Sequence, residues 1–267
     1  MQSHYLPLIR SQTPLVHCMT NLVVTNFSAN GLLALGASPF MSVTPEEIAE
    51  IQNFAQALLI NIGTINETDV KAMLIAGKAA NKAGVPVVLD PVGVGATGFR
   101  QKIARQLLAE INFAVIRGNA AEIAFLAGIN WQGKGVDAAT GGDVADLSRL
   151  AKTVAQKYRC VTALSGEIDL VSDGKNVRQI QNGTPLFRKV TGSGCLLGAV
   201  IGAFLGVAQP ADYFAACIEA CAVYAVAGEL AAQELSCESG IFAVNLINRL
   251  GTIDALQLAD KARVSEI

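Results

Sequence analysis

The chain has 267 residues, of which 52% are hydrophobic and only 16% charged, and its net charge is −2. That charge leaves no electrostatic footprint for nucleic acid or an anionic membrane surface. So apolar a composition calls for a large core or for surface buried in an oligomer. The length admits one large α/β domain or two small ones, but no repeat, low-complexity tract or linker divides it. Residues 1–267 are therefore read as a single domain.

No unbroken apolar run reaches the ~18 residues of a membrane-spanning helix. Residues 196–208 stop at Gln209, Pro210 and Asp212, and residues 213–227 carry Glu219, so both read as buried helices. Residues 1–10 lack the basic start and apolar core of a signal peptide. The expected compartment is the cytosol, where the six scattered cysteines stay reduced. Cys217 and Cys221 share one helical face and could bind a metal, but in an Ala-rich helix they read as core packing. The glycosylation sequons at Asn26, Asn66 and Asn182 are chance matches without a secretory signal.

In chain order, the apolar pair Leu15-Val16 leads into His17-Cys18-Met19-Thr20-Asn21. Thr20 and Asn21 are expected either to cap a helix running to Leu35 or to present a polar edge to a small heterocycle. His17 reads as structural. Residues 37–41 are a strand-like apolar segment ending at Met41, a residue that suits a flat ring but also any core. Thr44-Pro45-Glu46-Glu47 reads as a capping box with proline at the first helical position.

Strands are then predicted at 57–60, 85–89, 113–116 and 161–164, with helices at 66–83, 101–109 and 142–158. A hairpin follows at 168–172 and 177–180 around Asp173-Gly174-Lys175-Asn176, and the last third reads as almost wholly helical. Strands too apolar to face water, alternating with helices, imply a parallel sheet covered on both faces.

In such sheets ligands bind beyond the carboxyl ends of the strands. The polar punctuation falls there: Ile60 precedes Asn61-Ile62-Gly63, and Leu89 precedes Asp90-Pro91-Val92-Gly93. Ile116 precedes Arg117-Gly118-Asn119, and Leu164 precedes Ser165-Gly166-Glu167. Asn119-Ala120-Ala121-Glu122 reads either as a plain capping box or as a site where Glu122 holds Mg²⁺. Asp90 reads either as a turn former or as support for a metal. Thr191-Gly192-Ser193-Gly194-Cys195 opens the apolar run at 196. Unpaired N–H groups at a helix N-terminus attract anions, and the glycines let a phosphate approach the backbone.

Taken together these motifs resemble the hydroxyethylthiazole kinase family of the ribokinase-like superfamily over nearly the full length. The resemblance rests on His17-Cys-Met-Thr-Asn21, Ser38-Pro-Phe-Met41, Asn61-Ile-Gly-Thr64, Leu89-Asp-Pro-Val-Gly93, Arg117-Gly-Asn-Ala-Ala-Glu122, Ser165-Gly-Glu167 and Thr191-Gly-Ser-Gly-Cys195. It implies a three-layer α/β sandwich with a mostly parallel central sheet, helices on both faces and a late antiparallel hairpin. It also implies ATP- and Mg²⁺-dependent phosphorylation of the hydroxyethyl group of 4-methyl-5-(2-hydroxyethyl)thiazole, in thiamine salvage.

By matching positions, Arg117 and Ser165, with Asn119 beside them, would contact ATP. Met41 and Gly192 would contact the thiazole, with Asn21 and Gly63 near it. Glu122, helped by Asp90, would serve Mg²⁺. Cys195 stands where ribokinases proper carry an aspartate base, at the end of an anion turn built on Gly192 and Gly194, and is expected to take the hydroxyl proton late. The family implies a homotrimer with sites at the subunit interfaces. A pyrimidine or pyridoxal kinase, or a hydrate dehydratase on the same scaffold, are the alternative readings.

Overall fold

The computed structural model describes residues 1–129 and 143–267. In chain order, α1 (Tyr5–Gln12), β1 (Leu15–Met19), α2 (Thr25–Leu35) and β2 (Ser38–Phe40) lead into the short α3 (Ile48–Ile51). Then come β3 (Ala57–Asn61), α4 (Glu67–Ala83), β4 (Val87–Asp90), α5 (Gly98–Glu110), β5 (Val115–Asn119) and α6 (Ala120–Ala127). After the second described stretch begins there are α7 (Val144–Tyr158), β6 (Val161–Ser165), β7 (Asp169–Ser172) and β8 (Val177–Ile180). The chain closes with α8 (Ser193–Leu205), α9 (Tyr213–Ala231), α10 (Ser239–Thr252), α11 (Ala255–Lys261) and β9 (Val264–Glu266).

Among the described residues the strands form one sheet in the order β2-β1-β3-β4-β5-β6-β7-β8-β9. The first six are mutually parallel, and β7, β8 and β9 are antiparallel. The expected three-layer α/β architecture is present. Alternation along the strands sends Leu58, Ile60, Leu89 and Ile116 into a core with helices α3 to α7. It sends Leu59, Val88, Val115 and Ala163 into a second core with α1, α2 and α8 to α11. Both faces are covered, which is why these strands carry almost no polar residues until their ends.

Helices α8 and α9 are buried all round, as their composition predicts. The 22-residue stretch Pro210–Ala231 is long and apolar enough to span a bilayer, but 83% of its apolar window is buried inside the fold. Glu219, within it, is buried because it does a defined job. Its carboxylate accepts from Ser3 Oγ and from the backbone N–H groups of His4, Tyr5 and Leu6, so it caps α1 from a distance. Cys217 and Cys221 lie in the core, as expected.

Four local expectations are corrected. Helix α2 begins at Thr25 with Val24 as its N-cap, and no side chain caps it, so Thr20 and Asn21 are not its caps. Thr44-Pro45-Glu46-Glu47 does not open a helix. Glu47 instead accepts from Ser42 Oγ at 2.5 Å, and α3 starts only at Ile48. The last third includes an edge strand, β9, whose three residues carry no alternation to read. The start of the expected 142–158 helix falls at Asp143–Val144, and Gly142 itself lies outside the described residues.

Candidate active site

The parallel pairing of β3, β4, β5 and β6 sets their polar last residues side by side. Asn61 is in register with Asp90, and Asn119 with Ser165. Helix α8 lies across the same edge. The result is a continuous buried polar row beneath its N-terminus. Asn21 Nδ2 donates to Asn61 Oδ1 at 2.9 Å, and Asn61 Nδ2 donates to Asp90 Oδ2 at 2.9 Å. Arg117 Nη1 pairs with Asp90 Oδ1 at 3.5 Å, and Arg117 Nη2 donates to Ser165 Oγ at 2.6 Å.

The row carries unusual electrostatics. Burial pushes the Asp90 carboxyl above the usual carboxylate range, and the Glu122 charge adds to this, against the pull of Arg117 and Asn61. Asp90 Oδ1 is a buried oxygen with no hydrogen-bond partner. Burial works against the Arg117 charge too. The charges of Asp90, Glu122, Cys195 and Asp169 outweigh it and hold the guanidinium above its ordinary value. Asp169, which accepts from Gly166 N at 3.0 Å, is pushed up to about 6 by burial.

Glu122 forms the capping box that the sequence suggests. Asn119 Oδ1 accepts from Glu122 N, and Glu122 Oε2 accepts from Asn119 N. Its other oxygen accepts from Gly93 N at 2.8 Å, tying the loop after β4 to the start of α6. The capping reading is thus realised, and both carboxylate oxygens keep further lone pairs for a cation.

The turn before α8 has the left-handed geometry that glycine permits: Gly192 has φ +89°. A Cβ there would also fall 2.4 Å from Val24 Cγ1. Ser193 Oγ turns inward to Phe187 O, so the serine between the glycines is structural. Among the described residues the backbone N–H groups of Gly194 and Cys195 have no hydrogen-bond partner, and they lie at the positive end of a 13-residue helix, where an anion is favoured.

Gly194 has a second reason to be glycine. A Cβ on it would lie 2.8 Å from Arg117 Nη2, because the guanidinium sits directly beneath the helix start. Arg117 is therefore a buried foundation for the anion turn, reached through it and not from open solvent.

Cys195 is half-buried, with Asn21 Nδ2 donating to its Sγ at 3.4 Å. Burial pushes the thiol up to about 11, with Asp90 adding to the rise, against Arg117 and the amides of Asn61 and Asn21. The thiol is protonated at neutral pH and accepts a proton only through its minor thiolate form.

Gly63 packs on Asn21, where a Cβ would meet Nδ2 at 2.6 Å. Met41 stands apart from this cluster. It follows the edge strand β2, two strands from Asn61, and packs half-buried against the core. The segment is held by His17, whose ring lies between Ser42 O at 2.9 Å and Gln52 Nε2 at 2.7 Å. That histidine is structural, as expected.

Asn61 is the residue that links the two halves of the row, and the sequence marked it only as polar punctuation. Arg100 and Asp169 went unmarked. Asn61 ends a strand as Asp90 and Ser165 do, so the same signal was available for it. Nothing local distinguishes Arg100 from any helical arginine.

The profile of the Hydroxyethylthiazole kinase family matches residues 6–255 of this chain. The chain belongs to the hydroxyethylthiazole kinase family. It is 74% identical over 264 residues to a hydroxyethylthiazole kinase of Actinobacillus succinogenes, covering 99% of this chain and 98% of that one. Its fold matches the solved structure of the hydroxyethylthiazole kinase protein of Pyrococcus horikoshii with a TM-score of 0.88 at 36% identity, covering 98% and 97% of the two chains. A Staphylococcus aureus pyridoxal kinase solved with AMP-PCP and pyridoxal matches at a TM-score of 0.65 and 14% identity, covering 95% and 99%. At that identity the likeness extends to the ribokinase-like fold alone. Family membership favours the hydroxyethylthiazole kinases over the pyridoxal kinase and dehydratase alternatives.

Proposed function

We propose that this chain transfers the γ-phosphoryl group of ATP to the hydroxyl of 4-methyl-5-(2-hydroxyethyl)thiazole. The observation that carries the reading is the row Asn21–Asn61–Asp90–Arg117, buried and ending at the half-buried Ser165, under a helix N-terminus with unpaired N–H groups. One end of that row is amide and apolar, suited to a small heterocycle. The other is cationic, suited to a nucleotide.

The N–H groups of Gly194 and Cys195 receive the phosphoryl group in flight, and Arg117 beneath them counters its charge without having to reorganise. Ser165 and Asn119, at the ends of β6 and β5, face the nucleotide. Asn21 and Gly63, with Gly192, orient the thiazole, and Met41, which stands apart from the row within one chain, would reach it across a subunit interface. Cys195 holds the substrate hydroxyl, and as the bond from the γ-phosphorus to the ADP oxygen breaks and the hydroxyl oxygen bonds to that phosphorus, the hydroxyl proton passes late to Cys195 in its thiolate form, since a loose transition state needs no strong base early. Positioning and charge supply most of the rate.

Mg²⁺ suits this donor set. Asp90 Oδ1 is a buried oxygen that accepts no hydrogen bond and faces the Arg117 guanidinium at 3.5 Å, Glu122 is a second hard carboxylate close enough to raise the Asp90 pKa, and Mg²⁺ prefers one or two carboxylates with phosphate and water. Bound there, it would neutralise charge on the phosphate oxygens.

A homotrimer with sites at subunit interfaces fits the same surface. Leu22 and Val23, beside Asn21, are 84% and 66% exposed, and Leu33, Ile241 and Val244 expose more apolar area on α2 and α10. The cytosol is the proposed compartment, in keeping with six free cysteines. The purified protein is incubated with ATP, Mg²⁺ and a panel of small alcohols, and the products are read by mass spectrometry. A phosphorylated thiazole is expected. Phosphorylation of hydroxymethylpyrimidine or pyridoxal instead would overturn the reading, and sedimentation as a fully active monomer would overturn the trimer.

A further inference from the structure

We propose that Arg100, on α5, is a positioning residue that sets the spacing between the substrate side and the metal side of this site. The inference rests on the site reading above. The β3–β4 ladder ends at the pair Asn61 and Asp90, and among the described residues Ile62 N to Asp90 O at 3.2 Å is the last backbone bond between the two strands. Beyond it, among the described residues, Arg100 is the one side chain hydrogen-bonded to both loops. Its guanidinium donates to Ile62 O at 2.5 Å and Gly63 O at 2.6 Å in one loop, and to Val92 O at 2.7 Å in the other.

What hangs on each loop gives the clamp its consequence. Gly63 backs the Asn21 amide, which touches Cys195. Gly93, next to Val92, donates its N–H to Glu122 and packs over the Arg100 side chain with φ +66°. Among the described residues no carboxylate pairs with Arg100. Its donors are committed to backbone carbonyls, and a planar fork is what reaches three carbonyls in two loops. A lysine ammonium, a single point donor, does not reproduce that geometry.

A comparable bracket exists away from the site. Asn81 Nδ2 donates to Asn112 O at 2.9 Å, and Asn112 N donates to Asn81 Oδ1 at 2.7 Å. It joins the end of α4 to the segment before β5, at the opposite edge of the sheet. Asn81→Ala therefore controls for a general loss of stability.

The test uses the full-length protein. Thiazole affinity is measured by calorimetry without ATP or metal, and KM and kcat are measured with ATP and Mg²⁺. Arg100→Met is expected to weaken thiazole binding and to raise its KM by roughly 10- to 100-fold, as a misplacement of ~1 Å does. Arg100→Lys should recover little of this. Guanidinium chloride should restore part of the activity of Arg100→Ala, where sodium chloride at equal ionic strength does not. Asn81→Ala should lose melting temperature with KM unchanged.

Wild-type affinity and KM in Arg100→Met overturn the proposal, as does the same kinetic change in Asn81→Ala at an equal loss of melting temperature. Should Arg100→Met not fold, the Arg100→Lys kinetics and the guanidinium rescue decide. Asp90→Asn is run alongside. If it is fully active the site reading fails, whereas an impaired Asp90→Asn beside a normal Arg100→Met sinks the clamp alone.

Discussion

Gly194→Ala puts the arrangement beneath α8 to a sharp test. The new methyl would lie 2.8 Å from Arg117 Nη2, 3.0 Å from Nη1 and 3.3 Å from Cζ. A carbon needs about 3.5 Å from its neighbours, so something must yield by ~0.7 Å. A free arginine tip would swing aside at little cost. This one is only 9% exposed and is held by Ser165 on one nitrogen and Asp90 on the other. Either the helix start lifts, an overpacking cost of about 1–3 kcal/mol, or the Ser165 bond breaks, at about 1.5–3 kcal/mol for a charged donor.

The two are alternatives, and alanine returns ~0.5–1 kcal/mol of helix propensity. A net loss of ~1–2 kcal/mol is expected, or roughly 2–8 °C in melting temperature for a chain of this size class. Because Arg117 and the anion turn move together, the KM for ATP should rise by about tenfold, equivalent to ~1.4 kcal/mol. Gly198→Ala, one turn along, is the control. Its Cβ meets Leu59 Cδ1 at 3.2 Å and Asp90 Oδ2 at 3.6 Å, contacts that small shifts relieve. Differential scanning fluorimetry and steady-state kinetics on both variants decide. If Gly194→Ala melts and binds ATP like the wild type, or Gly198→Ala suffers equally, Arg117 does not lie where this account needs it.

Cys195→Asp should keep or increase turnover, because a carboxylate there accepts a proton outright, while Cys195→Ala and Cys195→Ser lose roughly 10- to 100-fold, toward the lower end of general-base effects. With the wild-type thiol pushed up to about 11, kcat should show no thiol inflection between pH 8 and 9, and a pH–rate profile checks this. Glu122→Gln should raise the Mg²⁺ requirement and also cost ~1 kcal/mol, because an amide cannot accept from both Gly93 N and Asn119 N. Magnesium titrations beside thermal melts separate the two effects. Burial holds the His17 pKa below its ordinary 6.5. The unfolded chain therefore binds the extra proton more readily, and the stability carried by neutral His17 is present above pH 6.5 and lost as the pH falls through that value toward the folded pKa. Melting curves across pH 7.5 to 5 should be flatter for His17→Gln than for the wild type, and parallel curves would refute this.

The sequence by itself determined most of the elements and the edge of the sheet at which the polar strand ends gather. A strand buried on both faces must be apolar until it leaves the core, so Asn61, Asp90, Asn119 and Ser165 were visible as the points where four strands end. A glycine-serine-glycine turn before an apolar run was enough to mark the unpaired N–H groups that open α8, and Asn119 with Glu122 announced their capping box. These signals are local, carried by residues two to four positions apart. Motif order supplied the family.

What the sequence did not hold was which strand lies beside which. Only the order β3-β4-β5-β6 makes Asn61 the neighbour of Asp90 and Asn119 the neighbour of Ser165. Local rules also misplaced the caps of α2 and the Thr44 turn, where Asn21 is drawn to Asn61 and Glu47 to Ser42, and both pulls come from packing. Arg117 read as an arm able to reach a nucleotide phosphate, and only the structure shows that it lies buried under α8 and crowds Gly194 for a reason outside its own turn. Arg100 has no motif at all. Its meaning arises because α5 carries it back to the loop of Gly63 and Ile62, 37 and 38 residues earlier in the chain, and such distances are set by tertiary packing and not by any periodicity along the chain.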